Sequence, residues 1–372
     1  MSIRVFLEGT TLIDLSLKYS GDIGRNDPFV CIVGDPTQGT QFTDAPILVK
    51  LKEHYVFERA KIKLRKLEAK LDLGEILIVF PELNLIQRFY RPSAVGNTVL
   101  LTEQCDQLCT MCSQPPKKKD YLHWDLYLKA ASLIPPGGVL GISGGEPTLY
   151  KSELLQFLMD CLELNESLQF NVLTNAQHFD ESDVESLAKL NKNVLWGVPL
   201  YSDRPSEHNA IVGKDSAFDN VLKSFNYLLK SGSRVELRTV LLKQNYHSFS
   251  KLSKFIARYF TWIEKWAVMQ LEPIGYARIA WPTKFVDTTL SPENLEQAIL
   301  LADASGINTE LYNFPLCAVP ENLRRYCVRS ISDWKQKYLP VCDTCPAKTV
   351  CCGFFEWYDL LDGYSCVRPI KL

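Results

Sequence analysis

The chain has 372 residues, 46% hydrophobic and 23% charged, a globular balance that excludes long disorder and implies two or three domains. Its 41 basic and 43 acidic residues give a net charge of −2, which leaves no global field to hold a polyanion. No nucleic-acid partner is therefore expected, and the one basic run, Lys117-Lys118-Lys119, reads as solvated loop.

Residues 1–95 carry no cysteine cluster. Phe29–Val33 and Ile76–Phe80 read as strands bounded by Gly, Pro and Asp, and residues 52–72 show a charged, helical rhythm. A small N-terminal α+β module is expected. Such apolar runs fall far short of the ~20 residues that span a bilayer. The start, Met1–Glu8, lacks the charged and apolar regions of a signal peptide, so a cytoplasmic protein without a membrane partner is expected.

Over residues 96–280 the pattern becomes strand, loop, helix, repeated. Strands are expected at Thr98–Thr102, Gly138–Ser143, Gln169–Thr174, Val194–Leu200, Val235–Leu242 and Trp266–Leu271. Helices are expected near 122–134, 150–164, 181–190, 217–231 and 247–260, with Ser182-Asp183-Val184-Glu185 fitting a capping box. Six such units favour an α/β fold with a parallel sheet, open or curled into a partial (β/α)6 barrel, because parallel neighbours need long crossovers. Ligands gather at the C-terminal ends of such strands. Residues 281–372 open with a helix started by Ser291-Pro292 and continue rich in Cys and Pro, a composition that needs a metal to fold.

Twelve cysteines in a reducing compartment point to metal or chemistry rather than disulfides. Cys31 and Cys161 stand alone, three fall between 105 and 112, and seven between 317 and 366. Cys105, Cys109 and Cys112 follow the first core strand with Cys-x3-Cys-x2-Cys spacing. Three thiolates so close can hold one face of a 4Fe–4S cubane and leave the fourth iron free to chelate the amino and carboxylate groups of S-adenosylmethionine. The alternative is structural zinc, which prefers four protein ligands, and His123 stands eleven residues beyond Cys112. One crossover later, Gly144-Gly145-Glu146-Pro147 offers a closely approachable backbone and a carboxylate suited to an ammonium group.

These two motifs together resemble the radical S-adenosylmethionine superfamily, whose signature is this cysteine spacing and whose Gly-Gly-Glu-Pro turn holds the methionine amino group. The resemblance implies a partial barrel of the radical SAM type. It also implies that Met111 fills the place of an aromatic over the adenine, that Asn175 meets the cofactor and that Ser202 touches the ribose. By the same resemblance Arg238 pairs with the methionine carboxylate and Gly275 belongs to the adenine-contacting turn. For Asn175, Ser202 and Arg238 an ordinary cap or a satisfied internal polar group competes. The five histidines read as surface or packing residues.

Cys342-x2-Cys345-x5-Cys351 matches the spacing of auxiliary-cluster domains in peptide-modifying radical enzymes, with Cys317 as the fourth ligand; zinc competes, since four thiolates suit it equally. Cys327, Cys352 and Cys366 are surplus and too few for another cluster, so one auxiliary 4Fe–4S cluster is expected in this C-terminal region. Cys109–Lys117, Phe314-Pro315-Leu316-Cys317, Ser330–Lys335 and Tyr338–Cys342 narrow the resemblance to the C-type radical maturases of the His-Xaa-Ser system, over most of residues 97–372. That likeness implies a substrate peptide with His-Xaa-Ser repeats, a partner radical SAM maturase and an external electron donor. The competing expectations are a radical enzyme acting on a nucleoside, tRNA base or other small molecule, and a zinc-stabilised scaffold without activity.

Overall fold

The computed structural model describes residues 16–20, 27–34, 47–51, 54–58, 62–64, 66–67, 71–80, 85–94, 96–118, 122–359 and 362–370. The chain divides into two compact units, one of Met1–Thr102, Asp120–Ser143 and Ser152–Asn171, the other of Glu103–Lys119, Gly144–Lys151 and Val172–Leu372.

The N-terminal region forms an eight-stranded sheet in the order β5-β4-β3-β2-β7-β8-β1-β6. Its strands are β1 (Ser16–Ser20), β2 (Phe29–Gly34), β3 (Ile47–Leu51), β4 (His54–Glu58), β5 (Ile62–Leu64), β6 (Lys66–Leu67), β7 (Ile76–Phe80) and β8 (Leu85–Tyr90). The apolar runs of β2 and β7 pair antiparallel, Phe29 opposite Val79 and Ile32 opposite Ile76, and both strands are buried along their length. Behind them Glu75, fully buried, accepts from Arg88 Nε at 2.8 Å. The helix expected within residues 52–72 is corrected: the described residues there form β4, β5 and β6, and no helix occurs among the described residues before 95. Tyr55, Val56 and Phe57 favour strand, and the alternation Ile62-Lys63-Leu64 has a period of two, which outweighs the spacing of the charges.

The second sheet has seven strands in the order β15-β14-β13-β12-β11-β10-β9. They are β9 (Thr98–Thr102), β10 (Val139–Gly144), β11 (Gln169–Leu173), β12 (Val194–Pro199), β13 (Arg234–Val240), β14 (Lys265–Met269) and β15 (Thr309–Tyr312). Pairs β12–β13, β13–β14 and β14–β15 are parallel. The crossovers carry α1 (Trp124–Ala131), α2 (Lys151–Leu164), α3 (Val184–Leu190), α4 (Pro205–Val212), α5 (Ala217–Lys230), α6 (Phe249–Tyr259), α7 (Gly275–Lys284) and α8 (Glu293–Ala304). The fold is thus α/β with a parallel seven-stranded sheet, one strand more than the six expected.

Two helix starts differ from expectation. The cap before α3 is Asp180, whose side chain accepts from Ser182 N at 2.9 Å while Asp183 accepts from Asp180 N at 2.8 Å. An ionised Asp is the better acceptor, and it shifts the box two residues upstream of Ser182. At α8, Pro292 stands in the cap position and Ser291 makes no cap bond.

Parallel sheets are ordinarily covered on both faces. Here Val235, Leu237, Trp266, Val268 and Leu311 are fully buried on one face, where Phe249 of α6 stacks on Trp266 with ring centroids 5.6 Å apart. The alternating positions stay partly wet and charged: Arg238 pairs with Glu236, and Lys265 lies 2.9 Å from Glu310 and 3.2 Å from Glu236. Beyond β15 the described residues form short 3-10 turns and one two-residue strand pair, β16 (Gln336–Lys337) with β17 (Phe354–Phe355). No helix among the described residues is long and apolar enough to cross a membrane.

Candidate active site

The loop holding Cys105, Cys109 and Cys112 leaves β9 and is tied down by backbone hydrogen bonds from every side. Leu108 N donates to Val212 O at 3.0 Å and Thr110 N to Ile211 O at 2.9 Å, at the end of α4. Tyr276 N, in the first turn of α7, donates to Cys112 O at 2.9 Å, and Glu146 N donates to Gln104 O at 2.7 Å. Two glycines permit this approach. A Cβ on Gly145 would stand 1.9 Å from Gln104 O, and one on Gly275, at φ +57°, 2.3 Å from Cys112 O. The Gly-Gly-Glu-Pro turn and Gly275 are therefore both in contact with the cysteine loop. Met111 is buried in the apolar core shared by Tyr201, Leu271, Ala277 and Trp281.

All three thiols are partly buried, and burial comes first in pushing each upward: Cys105 to about 12, with Cys109 and Cys112 also raised. Cys105 and Cys112 raise Cys109 further. Among the described residues no three His, Cys, Asp or Glu side chains converge on one point as ligands of a single ion would. A cubane distributes its thiolates over separate irons. The hydroxyl of Thr110, between two of the cysteines, is buried without a hydrogen-bond partner, a donor facing no protein acceptor.

Glu146 is fully buried and accepts four hydrogen bonds: Thr148 N at 2.8 Å, the Thr148 hydroxyl, Thr174 Oγ1 at 2.6 Å and Asn175 N at 2.5 Å. Burial pushes its carboxyl upward against those bonds. No Lys, Arg or His among the described residues pairs with it. A buried carboxylate so prepared and lacking a cation fits an incoming ammonium group. Asn175 reaches the other way as well, its Nδ2 donating to Asp106 Oδ1 at 2.8 Å and lying 4.0 Å from Cys105 Sγ.

Gly144 closes β10 and Pro147 opens the following 3-10 turn. Two other expected contacts are engaged within the protein. Ser202 donates to Glu207 Oε2 at 2.5 Å and accepts from Arg204 N at 3.0 Å, as a turn cap does. Arg238 is bonded to Glu236 through one arm, while the other arm reaches only Met269 Sδ at 3.0 Å, a weak acceptor that leaves donor capacity. Of the histidines, His208 is buried, lowered to about 4 by that burial, and packs between Tyr201 and Phe218. His178 is different, for its Nε2 stands 3.1 Å from Asp106. Asp106, His178 and Lys214 were not foreseen; an acidic residue inside a cysteine motif was the one available signal.

The structure brings Cys317, Cys342, Cys345 and Cys351 around one pocket, walled by Leu316, Val341, Phe354, Val367 and Ile370. Cys327, Cys352 and Cys366 do not line it. Cys351 accepts from Leu316 N and Gly353 N, each at 3.4 Å. The Cys352 thiol, ahead of those amides, lowers Cys351 to about 6. Burial instead raises Cys317 to about 12.

Residues 99–256 match the family described as the Radical SAM superfamily. Among solved structures, Streptococcus suis SuiB bound to S-adenosylmethionine is 23% identical over 57% of this chain and 49% of that one, with a TM-score of 0.46. Native anSMEcpe with bound AdoMet is 14% identical over 71% and 79%, at 0.46, and a radical SAM methyltransferase from Sphaerobacter thermophilus is 14% identical over 65% and 74%, at 0.44. The chain spans about half the length of the SuiB chain. No curated protein matches it.

Proposed function

We propose, from the radical SAM superfamily domain carried by residues 99–256, that this chain cleaves S-adenosylmethionine reductively and modifies a ribosomally made peptide with His-Xaa-Ser repeats. Cys105, Cys109 and Cys112 would hold the 4Fe–4S cluster. That cluster and the cofactor, when bound, supply a 5′-deoxyadenosyl radical able to abstract hydrogen from an unactivated carbon. The observation that carries the reading is Glu146, a fully buried carboxylate with four donors and no cation, its turn bonded to the cysteine loop.

The chain's own residues bind, orient and exclude water. Glu146 fixes the amino group, and the backbone N–H groups of Glu146 and Tyr276, donating to Gln104 and Cys112 where Gly145 and Gly275 leave room, keep the loop at contact distance from it. Met111 provides an apolar neighbour for the adenine. The free donor of Arg238 is available to the carboxylate. Cys317, Cys342, Cys345 and Cys351 would hold an auxiliary 4Fe–4S cluster, which would supply a substrate-binding or electron-accepting site. Support for the peptide, a partner radical maturase and an external electron donor comes from the sequence resemblance over residues 97–372.

The test is anaerobic incubation of the iron-loaded protein with dithionite and S-adenosylmethionine. We expect 5′-deoxyadenosine by mass spectrometry and about eight iron atoms per chain. Colourless protein with stoichiometric zinc and no 5′-deoxyadenosine overturns the proposal.

A further inference from the structure

Asp106 directly follows Cys105, and its carboxylate ties the cysteine loop to two further segments, the turn of Asn175 and the turn of Lys214. Oδ1 accepts from Asn175 Nδ2 at 2.8 Å; Oδ2 is bonded to Lys214 Nζ and lies 3.1 Å from His178 Nε2. None of these is a loosely solvated surface pair, since the side chains of Asp106, Lys214 and His178 are only 22%, 27% and 30% exposed. Lys214 belongs to the turn after α4, whose carbonyls already receive Leu108 N and Thr110 N. The pair therefore fastens the first half of the cysteine loop to the element that fastens its second half.

Asn175 continues the connection. Its side chain bonds Asp106 and its backbone N–H bonds Glu146, so one residue spans from the thiol loop to the buried carboxylate. The turn that presents Asn175 is conformationally expensive: the next residue, Ala176, has φ +53° and is fully buried, held by Ala176 N donating to Thr174 Oγ1 at 2.9 Å. A left-handed alanine is strained and persists only where its surroundings dictate it. Thr174 in turn donates to Glu146 at 2.6 Å. The strained turn is thus clamped between two carboxylates, one neutralised by Lys214, the other left for a ligand cation.

Resting on the radical reading above, we infer that Asp106 is a positioning residue. Its ion pair with Lys214 fixes Asn175 between the cysteine loop and Glu146, and so sets where the cofactor's amino group meets the open iron. In this role the pair does no chemistry and acts through Asn175 and the cysteine loop.

The test uses full-length, iron-loaded Asp106→Ala, Asp106→Asn, Lys214→Met and the Asp106→Ala/Lys214→Met double variant. Two quantities are measured: iron content, and S-adenosylmethionine affinity from the cofactor-induced change in the electron paramagnetic resonance spectrum of the reduced cluster. We expect Asp106→Ala to keep its iron and bind the cofactor about tenfold more weakly, ~1.4 kcal/mol. Lys214→Met should weaken binding less, and adding it to Asp106→Ala should weaken binding no further, because it acts through the same carboxylate. Affinity within twofold of the parent in Asp106→Ala, or fully additive losses, overturns the inference. If Asp106→Ala loses iron, Asp106→Asn decides: its amide oxygen can still accept from Asn175, so iron retained with intermediate affinity supports positioning. Iron lost there too reduces Asp106 to a loop-folding role and overturns it. A parent protein without cofactor-induced signal or 5′-deoxyadenosine fails the radical reading itself and takes this inference with it.

Discussion

The two cysteine groups differ in what surrounds the sulfur rather than in the sulfur itself. Around Cys105, Cys109 and Cys112 the neighbours are polar and unfinished: an unpartnered Thr110 hydroxyl, and the turn of a buried carboxylate that has donors but no cation. Around Cys317, Cys342, Cys345 and Cys351 the lining is mostly apolar, with Tyr338, Lys348 and Arg368 beside it, and Cys351 already receives two backbone amides. Three thiols leave a coordination position and four do not. Under the proposed function the same residue type would therefore serve chemistry in one region and a closed site in the other.

The strongest way to break this contrast is to remove one thiol from each group. Cys109→Ala should abolish 5′-deoxyadenosine formation and lower the iron content from about eight to about four. Cys345→Ala should lose a similar amount of iron yet still cleave S-adenosylmethionine in the absence of substrate. Iron analysis and product mass spectrometry check both, and an equal loss of cleavage in the two variants would collapse the distinction.

Glu146→Gln sharpens it further. Removing one partner of a buried charge pair costs roughly 3 kcal/mol, so cofactor affinity should fall on the order of 100-fold. The pH dependence has a definite sign. Burial raises the carboxyl above its ordinary range, and only the ionised form attracts an ammonium group. Affinity should therefore weaken on acidification, starting at a pH above that at which an exposed glutamate titrates. For the free protein, a raised carboxyl contributes stability below its unfolded pKa and loses it as pH rises through the folded one. Cofactor binding should accordingly raise the melting temperature more at neutral than at acidic pH, and Glu146→Gln should flatten that difference.

How much of this was legible in the sequence depended on range. Strands such as Thr98–Thr102 and Val194–Pro199 announce themselves as short apolar runs in a repeating strand, loop and helix pattern, and the structure places them within a residue or two of expectation. Thr309-Glu310-Leu311-Tyr312 went unseen because two of its four side chains are polar members of the wet, charged face. The charges of residues 52–72 mimicked a helix because charges on an edge-rich antiparallel sheet also recur at short intervals. Cysteine spacing and the Gly-Gly-Glu-Pro turn are local patterns and could be read. Asp106 and Lys214 are 108 positions apart, and no pattern in the chain links them. Ser202 and Arg238 were placed at the correct strands, but the acceptors that engage them, Glu207 and Glu236, are visible only once folded.

The smallest expected effect compares the glycines that bring backbone against each cysteine group. Gly275, at φ +57°, would place a Cβ 2.3 Å from Cys112 O; Gly353, at φ +67°, would place one 2.7 Å from Lys337 O, and its N–H bonds Cys351 Sγ. An alanine at either position adds a left-handed penalty of about 1 kcal/mol together with a backbone clash. Both Gly275→Ala and Gly353→Ala should therefore lower the melting temperature by a similar few degrees. Their consequences for activity should part. Gly275→Ala displaces the carbonyl of Cys112 and should slow 5′-deoxyadenosine formation severalfold. Gly353→Ala disturbs only the environment of Cys351 and should leave cofactor cleavage without substrate at the parent rate. Paired calorimetry and product assays decide it, because equal melting losses with unequal cleavage require that the two regions differ in what their sulfur does, whereas equal cleavage losses would mean that strain alone connects them.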